Sequence, residues 1–294
     1  MKILFIGSVK FSKKMFDEIN ITKNKIVGVI GKKYTSFNSD YFDMVKYASG
    51  KKIKSINVKN INSEKTRKWI ISKKPDVIFC MGWSKLLKKR IIKIPKHGVI
   101  GFHPSDLPLN RGRHPIIWAL ALGLKKTAAT FFLIDENADT GNIISKKIIK
   151  ISKNDDAKSI YTKMITTAKK QIRIILKKIE TDNLKSKKQI KKNSNFWRKR
   201  SEIDGKIDWR MSAESIYNLV RALSKPYPGA FFQIINNKKI TVWKSKIIKV
   251  KLINIEPGKF LFFDKKKPVV KCGENAIKLE EFSPKINFKR INYL

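Results

Sequence analysis

The sequence predicts an α/β protein in two parts: a larger first domain on a parallel sheet and a small, β-rich second domain. Three observations predict it. Apolar, strand-like runs (KILFIG from Lys2, KIVGVIG from Lys25, PDVIFCMG from Pro75, GVIGF from Gly98) alternate with helical patterns. Such alternation builds a parallel sheet with right-handed crossovers. Residues 181–206 then turn polar and basic, as a linker does. Beyond them, short strand-like runs separated by turn residues suggest a small barrel or open sandwich. The expected boundaries are 1–180, 181–206 for the linker, and 207–294.

Each element has its own local reason. Gly7-Ser8 makes a turn after the first strand, with Ser8 as N-cap of a helix running to about Ile19. A helical pattern, SEKTRKWIISKK, starts at Ser63. After GVIGF come His103, a Pro- and Gly-rich loop (PSDLPLNRGRHP), a helical IIWALALGL and a strand-like TAATFFLI. An acidic loop follows, ending in Asp139-Thr140-Gly141. NIISKKIIKIS reads as a strand, and the run from Asp155 to Glu180 as a long amphipathic helix whose first turn suits a carboxylate. In the second part a helix spans Ser212 to Leu223 and stops at Pro226 and the Pro228-Gly229 turn. The strands AFFQII, KKITVWKSKIIKV, GKFLFFD, PVVKCG and AIKLEEF are parted by Asn236-Asn237, Pro257-Gly258, residues 265–267 and Gly273.

Composition sets the bounds. The 294 residues, 42% hydrophobic, suffice for a large and a small core. No apolar run approaches the length of a membrane span, and the start, MKILFIGSVKFSKKMF, reads as a first strand and not a signal peptide. Cys80 and Cys272 stand far apart with no metal-ligand spacing, so a reduced, cytoplasmic setting without a metal is expected. The net charge of +43 attracts phosphate in general. Yet the chain has 56 lysines against ten arginines, spread from end to end. Nucleic-acid sites concentrate Arg, whose fork matches phosphate and guanine, so the lysines read as solvated faces. No GxGxxG or GxxxxGK[ST] loop appears, which argues against nicotinamide or ATP.

A histidine at a strand end and an aspartate in a loop of the same sheet edge can converge on one cleft, an arrangement suited to acyl chemistry. The run from Gly101 to Gly141 carries this pair. It resembles the core of the folate-dependent formyltransferases, and methionyl-tRNA formyltransferases, glycinamide ribonucleotide transformylases and nucleotide-sugar N-formyltransferases share the pattern. The matching residues are His103-Pro104-Ser105-Asp106-Leu107-Pro108, Arg111-Gly112 and Asp139-Thr140-Gly141. A second stretch, Ile207 to Phe231, resembles the join between the catalytic and C-terminal domains of the tRNA and sugar enzymes. The resemblance implies a Rossmann-like formyltransferase domain followed by an OB-like C-terminal domain.

It also implies roles. His103 and Asp139 match the family's catalytic His and Asp. The family's third catalytic residue, an asparagine, falls where this chain has Gly101, and a lost oxyanion donor typically costs about 10²–10³ in rate. A backbone N–H near Gly101 or a water ranks first as replacement, ahead of the Ser105 hydroxyl and the Asn110 amide. The co-substrate implied is N10-formyltetrahydrofolate, held by Met81, Gly82, Trp83 and Leu86 after the third strand and by Asp135, Asn137 and Ala138. Trp83 is also read as plain core packing.

The acceptor amine divides two readings within the family. Arg113 and His114 stand where the tRNA enzymes carry small residues, and RGRHP with FWRKRSEIDGKIDWR resembles enzymes formylating nucleotide-linked 4-amino-4,6-dideoxy sugars for surface or flagellar glycans. Ser105, Arg111, Arg113, Arg198 and Arg200 are the candidate substrate residues, because Arg makes bidentate bonds to a pyrophosphate. WRKR is equally well read as a solvated patch, and Trp197 as either a base platform or an anchor. The expected partner is a UDP- or dTDP-linked amino sugar, with no nucleic acid and no membrane insertion; a homodimer stays open. A methionyl-tRNA formyltransferase and a noncatalytic RNA-binding relative are the alternatives.

Overall fold

A computed structural model describes residues 1–34, 40–190, 194–234, 237–288 and 291–294; Asn236, named above as a turn residue, lies outside them. The chain divides into two compact units that interleave in sequence. The first comprises residues 1–112, 127–149 and 162–197, and the second residues 113–126, 150–161 and 198–294.

In chain order the first half gives β1 (Lys2–Gly7), α1 (Lys10–Asn20), β2 (Lys25–Gly31), α2 (Met44–Gly50), β3 (Ser55–Asn57), α3 (Glu64–Ser72), β4 (Val77–Met81) and α4 (Lys89–Ile92). Then follow β5 (Val99–His103), β6 (Arg111–Gly112), α5 (Pro115–Ala121), β7 (Lys126–Leu133), β8 (Ile143–Lys150), α6 (Ala157–Glu180) and β9 (Phe196–Trp197). The main sheet has seven strands in the order β3-β2-β1-β4-β5-β7-β8. It is parallel from β3 to β5 and antiparallel where β5 meets β7. The expected parallel sheet is therefore a mixed, parallel-dominant one, because β7 and β8 form a hairpin on its edge. Strands β1 and β4 read as unbroken apolar runs because they lie inside the sheet: Ile3 to Ile6 and Val77 to Phe79 are fully buried.

The capping expectation at Ser8 is corrected. Val9 occupies the N-cap of α1, and Ser12 Oγ accepts from the N–H groups of both Ser8 and Val9 at 3.2 Å while donating to the Met81 carbonyl at 2.6 Å. A hydroxyl within the helix's own first turn thus takes up the N–H groups at its start and ties that turn to the end of β4. At α3, whose pattern starts at Ser63, that residue is the N-cap, its Oγ accepting from Thr66 N–H.

The second unit contains α7 (Ala213–Ala222), β10 (Ala230–Ile234), β11 (Lys238–Ile248), β12 (Phe260–Asp264), β13 (Lys267–Lys271) and β14 (Ala276–Ser283). Its antiparallel sheet runs β10-β11-β14-β13-β12. β11 alternates, burying Ile240 and Val242 between more exposed neighbours, whereas consecutive residues are buried in β10, β13 and the first half of β14, with Phe232, Val269, Ile277 and Leu279 in the core. Trp209 meets Phe232 edge-on at 5.3 Å, and Phe288 packs on Phe260 and Phe282. Among the described residues no helix is long and apolar enough to cross a membrane.

Candidate active site

The site of the first unit begins at the carboxyl end of β5. Side chains alternate along a strand, so Gly101 and His103 share one face while Phe102 points to the other, stacked on Phe11 at 4.5 Å. His103 is nearly buried. Its Nδ1 lies 3.6 Å from Asp139 Oδ1, with the two side chains 7% and 19% exposed. Its Nε2 lies 3.0 Å from the Asn110 carbonyl oxygen. A carbonyl only accepts, so Nε2 carries the hydrogen of that bond, which turns Nδ1 toward the carboxylate.

Asp139 is placed by its own loop. Its φ of 59° is left-handed, an unusual conformation for a residue with a Cβ, and its Oδ2 accepts from Gly112 N–H at 2.9 Å. Thr140 Oγ1 donates to the Asp135 carboxylate at 2.6 and 2.8 Å, and Asn137 N–H donates to it at 3.1 Å. Gly141 is required on steric grounds: a Cβ there would stand 1.6 Å from the Leu133 carbonyl oxygen. The loop can close back onto the end of β7 because that backbone approach is open only to glycine.

At Gly101 a side chain has no room. A Cβ would lie 2.8 Å from Ile134 Cγ1 and 3.1 Å from Phe132 Cζ, so the volume beside His103 is filled with hydrocarbon. Ser105 is fully buried and its hydroxyl donates to the Leu109 carbonyl at 3.0 Å. That bond occupies its proton within the loop.

The residues expected to hold the co-substrate gather at the end of β4 and in the loop after β7. Met81 is buried, Gly82 is exposed with φ +64°, and Leu86 is 56% exposed. Trp83 packs its ring against the core beside Leu87 and Ile91, yet its indole Nε1 is buried with no hydrogen-bond partner among the described residues. Core packing and an unmet donor thus coexist in one side chain. Asn137 is exposed, and Asp135 and Ala138 are half-buried. Among the described residues no cluster of His, Cys, Asp and Glu could hold a metal ion.

The candidate substrate arginines separate. Arg111 is buried in the first unit, its guanidinium donating to Gln189 Oε1 at 2.7 and 3.3 Å. Arg113, Arg198 and Arg200 belong to the second unit. There Arg198 and Arg200 lie over the Trp118 ring, 5.3 and 4.5 Å from its centroid, and Trp118 Nε1 donates to the Arg198 carbonyl. Arg198 also pairs with Asp204, which holds that carboxyl well below its ordinary range. Arg200 is buried, donates to the Asp204 carbonyl, and gives its backbone N–H to His114 Nδ1 at 3.3 Å. Burial first, and the neighbouring Arg113, Arg200 and Lys199 next, push the His114 pKa down.

Residues outside the sequence reading complete the site. The polar stretch 181–206 supplies Gln189, whose amide contacts Arg111 and the Asp139 loop, and Asn195, whose Oδ1 accepts from Asn110 N–H at 2.7 Å. Their neighbourhood is Lys-rich and without period, so composition alone marked it as linker. Ile134 was equally silent as one more apolar residue of a strand.

Comparison with known proteins identifies the family. Residues 1–176 match the family model "Formyl transferase", and residues 199–288 match "Formyl transferase, C-terminal domain". The bifunctional polymyxin resistance protein ArnA of Wigglesworthia glossinidia brevipalpis is 40% identical over 208 residues, covering 70% of this chain and 32% of that protein. The chain thus spans about a third of that relative's length. The methionyl-tRNA formyltransferase of Caldanaerobacter subterraneus subsp. tengcongensis is 29% identical over 286 residues, covering 96% and 91%. Two solved structures share the fold. WlaRD, a sugar 3N-formyl transferase crystallised with dTDP and 5-N-formyl-THF, aligns at TM-score 0.69 and 22% identity over 96% of this chain and 98% of its own. An N-formyltransferase from Helicobacter canadensis in complex with folinic acid and dTDP-3-aminofucose aligns at 0.70 and 20% over 95% and 98%. With a family match over more than half its length and the paired His103 and Asp139 at the sheet edge, the chain belongs to the formyl transferase family.

Proposed function

We propose that the protein transfers a formyl group from N10-formyltetrahydrofolate to the amine of a nucleotide-linked amino sugar, a 4-amino-4,6-dideoxyhexose, in the making of a surface or flagellar glycan. The observation that carries formyl transfer is the His103–Asp139 pair at 3.6 Å beside an exposed loop with an unmet indole donor. The folate supplies the one-carbon unit as an activated amide, and Met81, Gly82, Trp83, Leu86, Asp135, Asn137 and Ala138 are the residues to hold it. The sugar acceptor is supported by the RGRHP run and by the sugar N-formyltransferase WlaRD and the dTDP-3-aminofucose-bound N-formyltransferase among solved proteins of the same fold. Arg113 and the Trp118-stacked Arg198 and Arg200, all in the second unit, are the proposed partners of the nucleotide's phosphates.

The chemistry of this chain's residues follows from their geometry. The acceptor nitrogen forms a bond to the formyl carbon, and negative charge gathers on the formyl oxygen. His103 Nε2–H, satisfied by the Asn110 carbonyl, is the donor that this oxygen takes over. The attacking nitrogen sheds a proton as it becomes an amide; Asp139 accepts it through water, and the departing folate nitrogen regains one as the carbon–nitrogen bond breaks. With Gly101 and Ile134 at its side, the oxyanion faces one fewer side-chain donor than the family pattern supplies.

The test incubates the full chain with N10-formyltetrahydrofolate and UDP- or dTDP-linked 4-amino sugars and reads the product by mass spectrometry. A gain of one CO unit on the sugar nucleotide supports the reading. Formylation of charged initiator tRNA with none of the sugars promotes the tRNA enzyme instead.

A further inference from the structure

The buried amide of Gln189 stands between a guanidinium and the catalytic loop, and its orientation is dictated from both sides. Arg111 Nη2 and Nε donate to its Oε1 at 2.7 and 3.3 Å. Its own Nε2 donates to the carbonyl oxygens of Asp139 at 2.9 Å and Gly141 at 2.7 Å. A guanidinium can only donate and a carbonyl can only accept, so a flipped amide would lose every one of these bonds. The cation on one side of the amide also polarises it and strengthens the N–H bonds on the other.

The turn so held is one that resists its shape unaided. Asp139 has a left-handed φ of 59°, which costs an ordinary residue about 1–2 kcal/mol. Two carbonyls flanking Thr140 are gathered onto one NH2 group, while Gly112 N–H fixes Oδ2. Oδ1 is thereby left facing His103 Nδ1.

We propose that Gln189 is a positioning residue for formyl transfer, anchored by Arg111, and that the two together hold the Asp139 carboxylate against His103. Arg111 then serves the interior of the site and not the phosphates of a substrate. The proposal rests on reading His103 and Asp139 as the reacting pair.

Gln189→Glu tests it with the least change of shape. The new carboxylate still accepts from Arg111, but it turns an oxygen toward two carbonyl oxygens. A misplacement of about 1 Å can cost about 10²-fold in rate, so kcat should fall about 10²-fold with KM for both substrates little changed. In an Asp139→Asn background the same substitution should cost nothing further, because it acts through that carboxylate. A second readout needs no turnover. The chain has three histidines, so ¹⁵N spectra of histidine-labelled protein resolve the His103 ring. Its signals should move in Gln189→Glu as they do in Asp139→Asn, while those of His97 and His114 stay. Arg111→Lys, which keeps the charge and loses the fork, should shift them in the same direction and serves if Gln189→Glu does not fold. An unmoved His103 signal in a folded variant, or a rate loss that adds in full to that of Asp139→Asn, overturns the proposal. If the native chain formylates no amine at all, the functional reading fails, and the spectra still decide the clamp.

Discussion

His103 has both ring nitrogens against acceptors, a carbonyl on one side and a carboxylate on the other. Neither contact is needed for folding in the way a core contact is, so their loss should be felt in chemistry first. His103→Ala and Asp139→Ala should each lower kcat by about 10²–10⁴-fold while the circular-dichroism melting curve keeps its shape. A near-native rate in either variant removes that residue from the mechanism. Gly101 makes the opposite kind of demand. Restoring the family's asparagine there should not raise activity by itself, since its Cβ would press on Ile134 and Phe132. Overpacking of this kind costs about 1–3 kcal/mol, and urea unfolding of Gly101→Asn should show it, with Ile134→Ala in the same chain recovering part. Equal stability of Gly101→Asn and the native chain would show that Ile134 yields freely.

At the scale of elements, the loop between β7 and β8 carries the strictest requirement. Gly141→Ala would drive a methyl into the Leu133 carbonyl, so that variant should lose both stability and turnover; a normal melting temperature would mean the hairpin has a second way to close. The arginine-bearing run after β9 responds instead to pH. His114 sits at the N-cap of α5 with its pKa lowered by burial and by Arg113, and it accepts from Arg200 N–H, so it is neutral in the folded chain. Its stabilising effect is present above the unfolded value of about 6.5 and is lost as pH falls through the lower folded value. Stability measured from pH 7 to 5 should fall, and His114→Gln should flatten that slope; an unchanged slope would assign the loss to other groups. Strand and helix positions were legible in the sequence because β1, β4 and β5 are continuous apolar runs and Ser63 and Ser212 stand at true caps. The β3 strand and α2 were not, being short and half-exposed. The cap of α1 differs from the sequence expectation because the hydroxyl that accepts the N–H groups at its start, Ser12, is the helix's own third residue.

Across the whole molecule, the family and the closeness of His103 to Asp139 could be read from one ordered run of residues, whereas the contacts around the two could not. Gln189 is about fifty residues from Asp139 in sequence, in a stretch whose lysines hide it. The arginines show the same limit, because residue type does not say whether a guanidinium faces a ligand, as expected of Arg111, or an interior amide, as found. The two cysteines are both buried and free. Burial pushes both thiols up to about 12, so neither is ionised at neutral pH, and iodoacetamide should leave both unmodified until the chain unfolds. Rapid labelling of the folded protein would contradict that burial. The account as a whole turns on whether His103 and Asp139 drive transfer onto a sugar amine. The most direct measurement is the mass of a UDP- or dTDP-linked 4-amino sugar after incubation with N10-formyltetrahydrofolate, for the native chain and for Asp139→Ala side by side. A gain of one CO unit with the native chain, absent with the variant, is the result predicted. The same gain with both, or with neither while charged tRNA is formylated, would contradict it.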